Sequence, residues 1–387
     1  MKPTLDLEQL FFEVSEEYLK EKNSFSTRGE VGVFSQAAVV WLGIQQRLRD
    51  NSLSASMGAL IEKVKSETSP LSLVARPGRK FRERKISANT GGISRARDRL
   101  SEQLVSELFD KATENIELRL EEDQGIYVLD GQVITISRSA SILKEFGHVY
   151  TGEGEFHFPK IRVVSLHHLE SGICKGVVIG SYYQSETVLA ANLISRLSAG
   201  SMVIADRFYD KPTFIDTANK NKVHVVVRLK DKQARRLLGD SVNDKNTQKE
   251  VSWKPASKAL QHITIKGNLF KYTAELSEFR ASEFYFFSTN SDLTIQQVAN
   301  LYRQRVRVEI FIRQLKQTLK MFFIRAKKAD NIRKEIYIAY LTFNLLRAIM
   351  YTAAKLGNME PERMSFTAAI NLTRAYAQPF LKARSLS

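Results

Sequence analysis

Apolar residues recur at helical spacing through the first third of the chain, then switch to alternation after Gln124. Leu5 to Lys20, Ser35 to Arg49 and Arg95 to Leu118 are predicted helices joined by polar loops. From Gln124 the period is two: IYVLD ends at Asp130, and Gly131-Gln132 separates it from a second β-rich run, VITIS. KIRVVSLHHL and GICKGVVIGSYY follow as strands around the turn-like Glu170-Ser171-Gly172. Ser185 to Gly200 reads as a helix, and SMVIAD as an apolar strand that delivers Asp206 at its end. An aspartate at a strand end is often a turn or cap residue, but strand ends are also where an open α/β sheet places its site. VHVVVRLK, VSWK, HITIKG, LFKYTAEL and FYFFSTN form a further β-rich stretch. Thr294, with Gln297 three residues on, starts a helix with a capping box. Asn331 to Leu356 and Glu360 to Tyr376 give two more helices before a basic tail with Lys382 and Arg384. The predicted class is α/β with helical regions at both ends.

One helix carries unusual chemistry. In LYRQRVRVEIFIRQLKQTLK, Leu301 to Lys320, the residues Tyr302, Arg305, Glu309 and Lys316 fall at roughly 0°, 300°, 340° and 320° of a helical wheel. An aromatic hydroxyl, a guanidinium, a carboxylate and an ammonium therefore share a ~60° arc. Leu301, Val308, Phe311, Ile312, Leu315 and Leu319 occupy the adjoining apolar arc. Arg305–Glu309 and Glu309–Arg313 are also i,i+4 pairs, so a solvated salt-bridge face and a metal-and-phosphate site both fit this helix taken alone.

Composition narrows the choice. With 387 residues, 43% hydrophobic and 26% charged, the chain has the length and balance for two or three globular domains. Its net charge of +16 and pI near 9.7 point to an anionic polymer, with nucleic acid foremost. A run of 18 apolar residues is lacking, and acids stand where a signal peptide would have its apolar core. The single cysteine, Cys174, excludes an internal disulfide and argues against a zinc cluster, so a cytoplasmic setting is expected. The six histidines are scattered, His167 and His168 point to opposite faces of a strand, and GxxxxGK[ST] does not occur. Any catalysis falls to carboxylates. Between Ala75 and Arg97, Arg76, Arg79, Lys80, Arg82, Arg84, Lys85, Arg95 and Arg97 face one acid, Glu83. This loop is either a solvated linker or a segment that lies along phosphates.

Tyr302, Arg305, Glu309 and Lys316 match at every gap the signature Tyr-x2-Arg-x3-Glu-x6-Lys. On that motif the chain resembles bacterial insertion-sequence transposases of the DDE superfamily, insertion-sequence-four group. Leu129-Asp130-Gly131 is similar to the family's first-acid motif, and ADRFY, Ala205 to Tyr209 with Arg207 inside it, to its second. The resemblance spans roughly residues 30 to 355. Phe208 stands where relatives often have Gly, and Val306 where they often have Trp.

The resemblance implies an RNase H-like core with a β-rich insertion. Its expected segments are a helical DNA-binding region with the basic loop (1–120), the first part of the core (121–212), the insertion (213–290), a catalytic helix closing the core (291–328) and a C-terminal helical region (329–387). Asp130, Asp206 and Glu309 would be the catalytic acids, holding two ions of Mg²⁺ or Mn²⁺. Three carboxylates at ~4 Å repel by about 4 kcal/mol per pair at an effective dielectric of ~20, which divalent cations with hard oxygen ligands relieve. Tyr302, Arg305, Lys316 and Arg207 would grip DNA, with Arg79, Lys80, Arg82, Arg84 and Lys85 lending charge. The expected partners are transposon-end and target double-stranded DNA, with a homodimer in the DNA complex. A non-cleaving DNA-binding protein of the same fold and an RNase H-like nuclease without strand transfer are the alternatives.

Overall fold

The alternating stretches after Gln124 build one sheet, and the helical periods at either end build a bundle. The computed structural model describes residues 6–22, 34–49, 55–56, 91–121, 125–274 and 282–376. In chain order the elements are α1 (Leu7–Glu21), α2 (Gln36–Arg49), α3 (Gly91–Arg99), α4 (Glu102–Leu120), β1 (Ile126–Thr135), α5 (Ala140–Phe146), β2 (Val149–Thr151), β3 (Gly154–Phe156), β4 (Lys160–His168) and β5 (Cys174–Ser181). Next come α6 (Glu186–Ile194), β6 (Met202–Ala205), α7 (Pro212–Lys220), β7 (His224–Arg228), α8 (Asp231–Leu238), β8 (Thr247–Trp253), β9 (Ile265–Ala274) and β10 (Ser282–Ser288). The chain then forms α9 (Ile295–Gln304), α10 (Val306–Arg313), α11 (Ala329–Leu356) and α12 (Phe366–Tyr376). The expected α/β class is what the chain adopts.

Two compact units interleave along the sequence. One is drawn from Met1–Glu122, Thr135–Pro159 and Ile312–Ser387, the other from Asp123–Ile134 and Lys160–Phe311. The boundaries expected at 120, 212, 290 and 328 are consecutive, whereas these units are not.

The second unit is the sheet, ordered β5-β4-β1-β6-β7-β10-β9-β8. β1, β6 and β7 run parallel, while β4–β5, β7–β10, β10–β9 and β9–β8 are antiparallel. All four residues of β6 are buried, as a parallel strand covered on both faces must be. Leu129, Val203, Ala205, Val225 and Val227 share a core with Leu189 and Leu193 of α6 and Phe214 and Ile215 of α7. VHVVVR is thus a central strand beside β6, and the strands after it extend the same sheet. Two glycines read as interruptions lie inside strands. Gly131-Gln132 makes no turn, so β1 is one ten-residue strand with Asp130 in its middle rather than at its end. HITIKG and LFKYTAEL likewise give a single β9, because a Cβ at Gly267 would fall within 3.0 Å of the Ser288 carbonyl oxygen and the Phe287 ring. Glycine there permits close strand approach rather than a break. Helices α7 and α8, begun by Pro212 and Asp231, were not predicted.

The first unit centres on α11. Its Phe343, Leu345 and Leu346 are fully buried, Phe109 of α4 lies against Tyr337 and Tyr340, and Asn344 donates to the Thr113 hydroxyl at 2.9 Å. By length and composition α11 could cross a bilayer, but 78% of its apolar window is buried inside the protein, as in a core helix. Lys334, also buried, donates to the carbonyls of Arg97 (2.9 Å) and Leu100 (2.7 Å) at the end of α3. The predicted Arg95–Leu118 helix divides there, because Ser101 takes an extended conformation and caps α4 by accepting from the Leu104 N–H at 3.0 Å. Helix α5 and the β2–β3 hairpin, which follow β1 in sequence, also lay outside the sequence prediction.

Candidate active site

The β1–β6 register pairs Ile126 with Met202, Tyr127 with Val203 and Val128 with Ile204. Asp130 lies two residues beyond the last of these pairs in β1, Asp206 directly follows β6, and the two carboxylates are within electrostatic reach of each other. β6 ends at Ala205, and Asp206 caps the 3₁₀ turn Arg207–Tyr209, its Oδ1 accepting from the Phe208 N–H at 2.7 Å. Asp130 Oδ1 accepts from the Gly131 N–H at 3.0 Å. Burial pushes the Asp130 carboxyl up from 3.8 to about 6. The Gly131 amide and the Arg305 guanidinium pull it down, and the charges of Asp206 and Glu186 push it further up. This is chiefly the signature of a carboxylate taken out of water, with neighbouring acids adding a smaller rise.

Helix α9 brings two more residues to the same place. Its capping box forms as predicted, with Thr294 Oγ1 accepting from the Gln297 N–H at 3.3 Å and Gln297 Oε1 from the Thr294 N–H at 2.8 Å. The Tyr302 ring packs 4.8 Å from that of Phe286 in β10. Burial raises the Tyr302 hydroxyl's pKa. Arg305, Arg228 and Arg207 oppose the rise and Asp206 adds to it, so all four charges lie within electrostatic reach of this ring.

The single helix expected from Leu301 to Lys320 is broken twice. At Arg305 the bonds tighten to i→i−3: the Arg305 N–H donates to Tyr302 O at 3.1 Å, and the Val308 N–H to Arg305 O at 3.0 Å. Val306 and Val308, two β-branched residues, are weak helix formers at this join. After α10 the chain opens into a π-turn, Gln314–Thr318. These changes shift the wheel, so the ~60° arc computed for a uniform helix does not hold across all four residues. Lys316 sits in the π-turn, in the helical unit, with its ammonium 4.7 Å from the Phe322 ring centre. Most of the apolar face was read correctly: Val308, Phe311, Ile312, Leu315 and Leu319 are buried, while Leu301 is half-buried.

Glu309 does not join the aspartates in this conformation. Its Oε1 accepts from Arg305 Nη2 at 2.6 Å, and its side chain is 55% exposed while that of Arg305 is 17% exposed. Among the described residues, no three His, Cys, Asp or Glu side chains stand close enough to hold an ion. The structure thus brings Asp130, Asp206, Tyr302, Arg305 and the exposed Arg207 within electrostatic reach of one another, while Glu309 is engaged by Arg305. Asp130 and Asp206 form a hard-oxygen pair suited to Mg²⁺ or Mn²⁺. Arg305 supplies positive charge to Asp130 and at the same time pairs with Glu309. Arg79, Lys80, Arg82, Arg84 and Lys85 lie outside the described residues.

Sequence reasoning missed Glu186. It stands in the first turn of α6, largely buried, accepting at 2.6 Å from both Arg162 Nη1 and the Tyr209 hydroxyl. Nothing local in the sequence marks it, because its partners meet it only across the folded sheet.

A mixed sheet with parallel central strands, one aspartate within β1 and another directly after β6, and a helix that brings basic and aromatic residues to them, defines an RNase H-like fold of the kind built for phosphodiester chemistry. The family described as Transposase DDE domain matches residues 121–345, and the chain belongs to that family. Its members act on DNA and generally use divalent metals. Comparison with curated proteins finds no match.

Proposed function

We propose that this protein is a cut-and-paste transposase of the insertion-sequence-four group. In this reading it binds the terminal inverted repeats of its element, cleaves at the ends and joins the 3′-hydroxyls to target DNA. The observation that carries the proposal is that Asp130 of β1 and Asp206, just after the neighbouring β6, lie within electrostatic reach of each other, with Arg305 acting on Asp130 and Asp206 on Tyr302, in a member of the DDE family. Asp130, Asp206 and Glu309 would hold Mg²⁺ or Mn²⁺. Bound there, two such cations supply activation of water or a 3′-hydroxyl and stabilisation of the leaving oxygen.

The chain's own residues supply the rest. Glu309, freed from Arg305, would be available as the third metal ligand, and the Arg305 guanidinium would then be free to form bidentate bonds to an end phosphate. Tyr302 and Arg207 flank that phosphate, and Lys316 adds a point charge further along the strand. Arg79, Lys80, Arg82, Arg84 and Lys85 contribute salt-dependent affinity, in keeping with the net charge of +16. The protein works in the cytoplasm on nucleoid DNA, as a homodimer that pairs two ends.

Arg305→Ala is expected to weaken binding to end DNA and to lower the slope of log affinity against log salt by about 1. A titration from low to moderate salt checks this, and an unchanged slope speaks against phosphate contact. The Arg305–Glu309 ion pair is the one observation that favours the non-cleaving alternative. Incubating the protein with the DNA that flanks its reading frame, a target plasmid and Mg²⁺ separates the readings. The transposase yields free 3′-hydroxyls at the repeat ends and joined products; a nuclease yields only the former, and an inert binder neither.

A further inference from the structure

The Glu186 carboxylate lies against the residue that follows Asp130. A Cβ on Gly131 would fall within 3.0 Å of the Glu186 carboxyl carbon and of both its oxygens. Its surroundings hold it there. Oε2 accepts from Arg162 Nη1 at 2.6 Å, and Arg162 also donates through Nη2 to the Tyr182 carbonyl at 3.3 Å. Oε1 accepts from the Tyr209 hydroxyl at 2.6 Å, and Tyr209 is fully buried. The side chain of Glu186 is 13% exposed and that of Arg162 is 21% exposed.

One carboxylate therefore joins four pieces of structure: β1 through contact with Gly131, β4 through Arg162, its own helix α6, and the turn after β6 through Tyr209. Two of these carry Asp130 and Asp206. Tyr209 ends the same 3₁₀ turn that Asp206 caps by accepting from the Phe208 N–H. An acid placed beside two others raises the local repulsion, as the Asp130 environment registers. Such a placement persists when charge-assisted bonds compensate it, and Glu186 has one on Oε2 and a short hydroxyl bond on Oε1. Each of its two oxygens is engaged by a strong donor.

We propose that Glu186 is a positioning residue. It locks the Asp206 turn to β4 and presses on Gly131, so that the two aspartates stay level across the β1–β6 ladder. This inference rests on the reading of Asp130 and Asp206 as the metal-holding pair. Gly131 follows from it: glycine is needed after Asp130 because the Glu186 carboxylate fills the space a side chain would take.

The test is Mn²⁺ binding to the full-length protein, followed by the paramagnetic signal of the free ion and independent of DNA cleavage. Glu186→Gln keeps the shape but loses the charge facing Arg162, and is expected to weaken Mn²⁺ binding about tenfold with little change in melting temperature. Gly131→Ala, which drives the carboxylate from its place, should move affinity the same way. If Glu186→Gln fails to fold, Tyr209→Phe removes one of the two bonds and carries the same expectation. Wild-type Mn²⁺ affinity in a folded Glu186→Gln or Tyr209→Phe protein overturns the proposal. Complete loss of binding in Glu186→Gln, equal to that of Asp206→Asn, overturns it as well, since Glu186 would then be a ligand. Asp206→Asn binding Mn²⁺ like the wild type instead removes the underlying reading of the aspartates, and the positioning role falls with it.

Discussion

Glu309→Gln is expected to lower Mg²⁺-dependent cleavage of end-containing DNA by at least about a hundredfold while leaving DNA binding largely intact. The argument joins two observations. The Glu309 carboxylate is exposed and held only 2.6 Å from Arg305, so its loss removes a surface ion pair and costs the fold little. Asp130 and Asp206 alone form an incomplete donor set, and Glu309 is the acid nearest in the chain to the Arg305 that already serves them. The amide cannot supply an anionic ligand, yet it fills the same volume. Because the variant no longer competes for Arg305, affinity for end DNA should hold or rise slightly. Single-turnover cleavage alongside a gel-shift titration measures both. Cleavage at the wild-type rate would remove Glu309 from the mechanism.

Asp130→Asn should have two opposite effects: loss of cleavage, and a more stable metal-free protein at pH 7. Burial raises the Asp130 carboxyl from 3.8 to about 6. The sign follows directly. A carboxyl whose pKa is higher in the fold than in the unfolded chain favours its protonated form when folded. Its penalty is absent below about pH 4, grows as pH rises to about 6, and is fully present at pH 7. The neutral amide avoids that penalty, which is of the order of 1–3 kcal/mol after allowance for partial hydration. Chemical denaturation at pH 4 and pH 7 reads it: the two proteins should be equal at the lower pH, with the variant ahead at the higher. Adding Mg²⁺ should stabilise the wild type and not the variant. A variant less stable than the wild type at pH 7 without metal would contradict this assignment of strain to the acid pair. Loss of stability at a site kept for activity is the usual trade.

How much of this was legible in the sequence depended on the range of each interaction. The α/β class and most strands were visible, because alternation and β-branched composition are local. Asp130 and Asp206 were both expected at strand ends; Asp206 does follow β6 directly, whereas Asp130 lies within β1. The continuous strand through Gly131 was not visible, since composition reveals that glycine can turn but not what occupies the space beside it. Gly267 misled in the same way, for β10 rather than a carboxylate fills its place. The helical wheel found the buried stripe from Val308 to Leu319 but assumed one pitch. Two departures from that pitch, at Arg305 and across Gln314–Thr318, took Lys316 out of the pattern. Glu186 could not be read at all, because Arg162 and Tyr209 meet it only across the folded sheet.

The most direct measurement is phosphodiester cleavage at the element's own end, in Mg²⁺, by Asp206→Asn beside the wild type. Asp206 is the acid whose place is fixed most simply, by the end of β6 and by its bond to the Phe208 amide. The account predicts a mapped 3′-hydroxyl at the repeat boundary for the wild type, and none for the variant although it still binds the end. Equal cleavage by both proteins, or cleavage by the wild type that persists in EDTA, would contradict it.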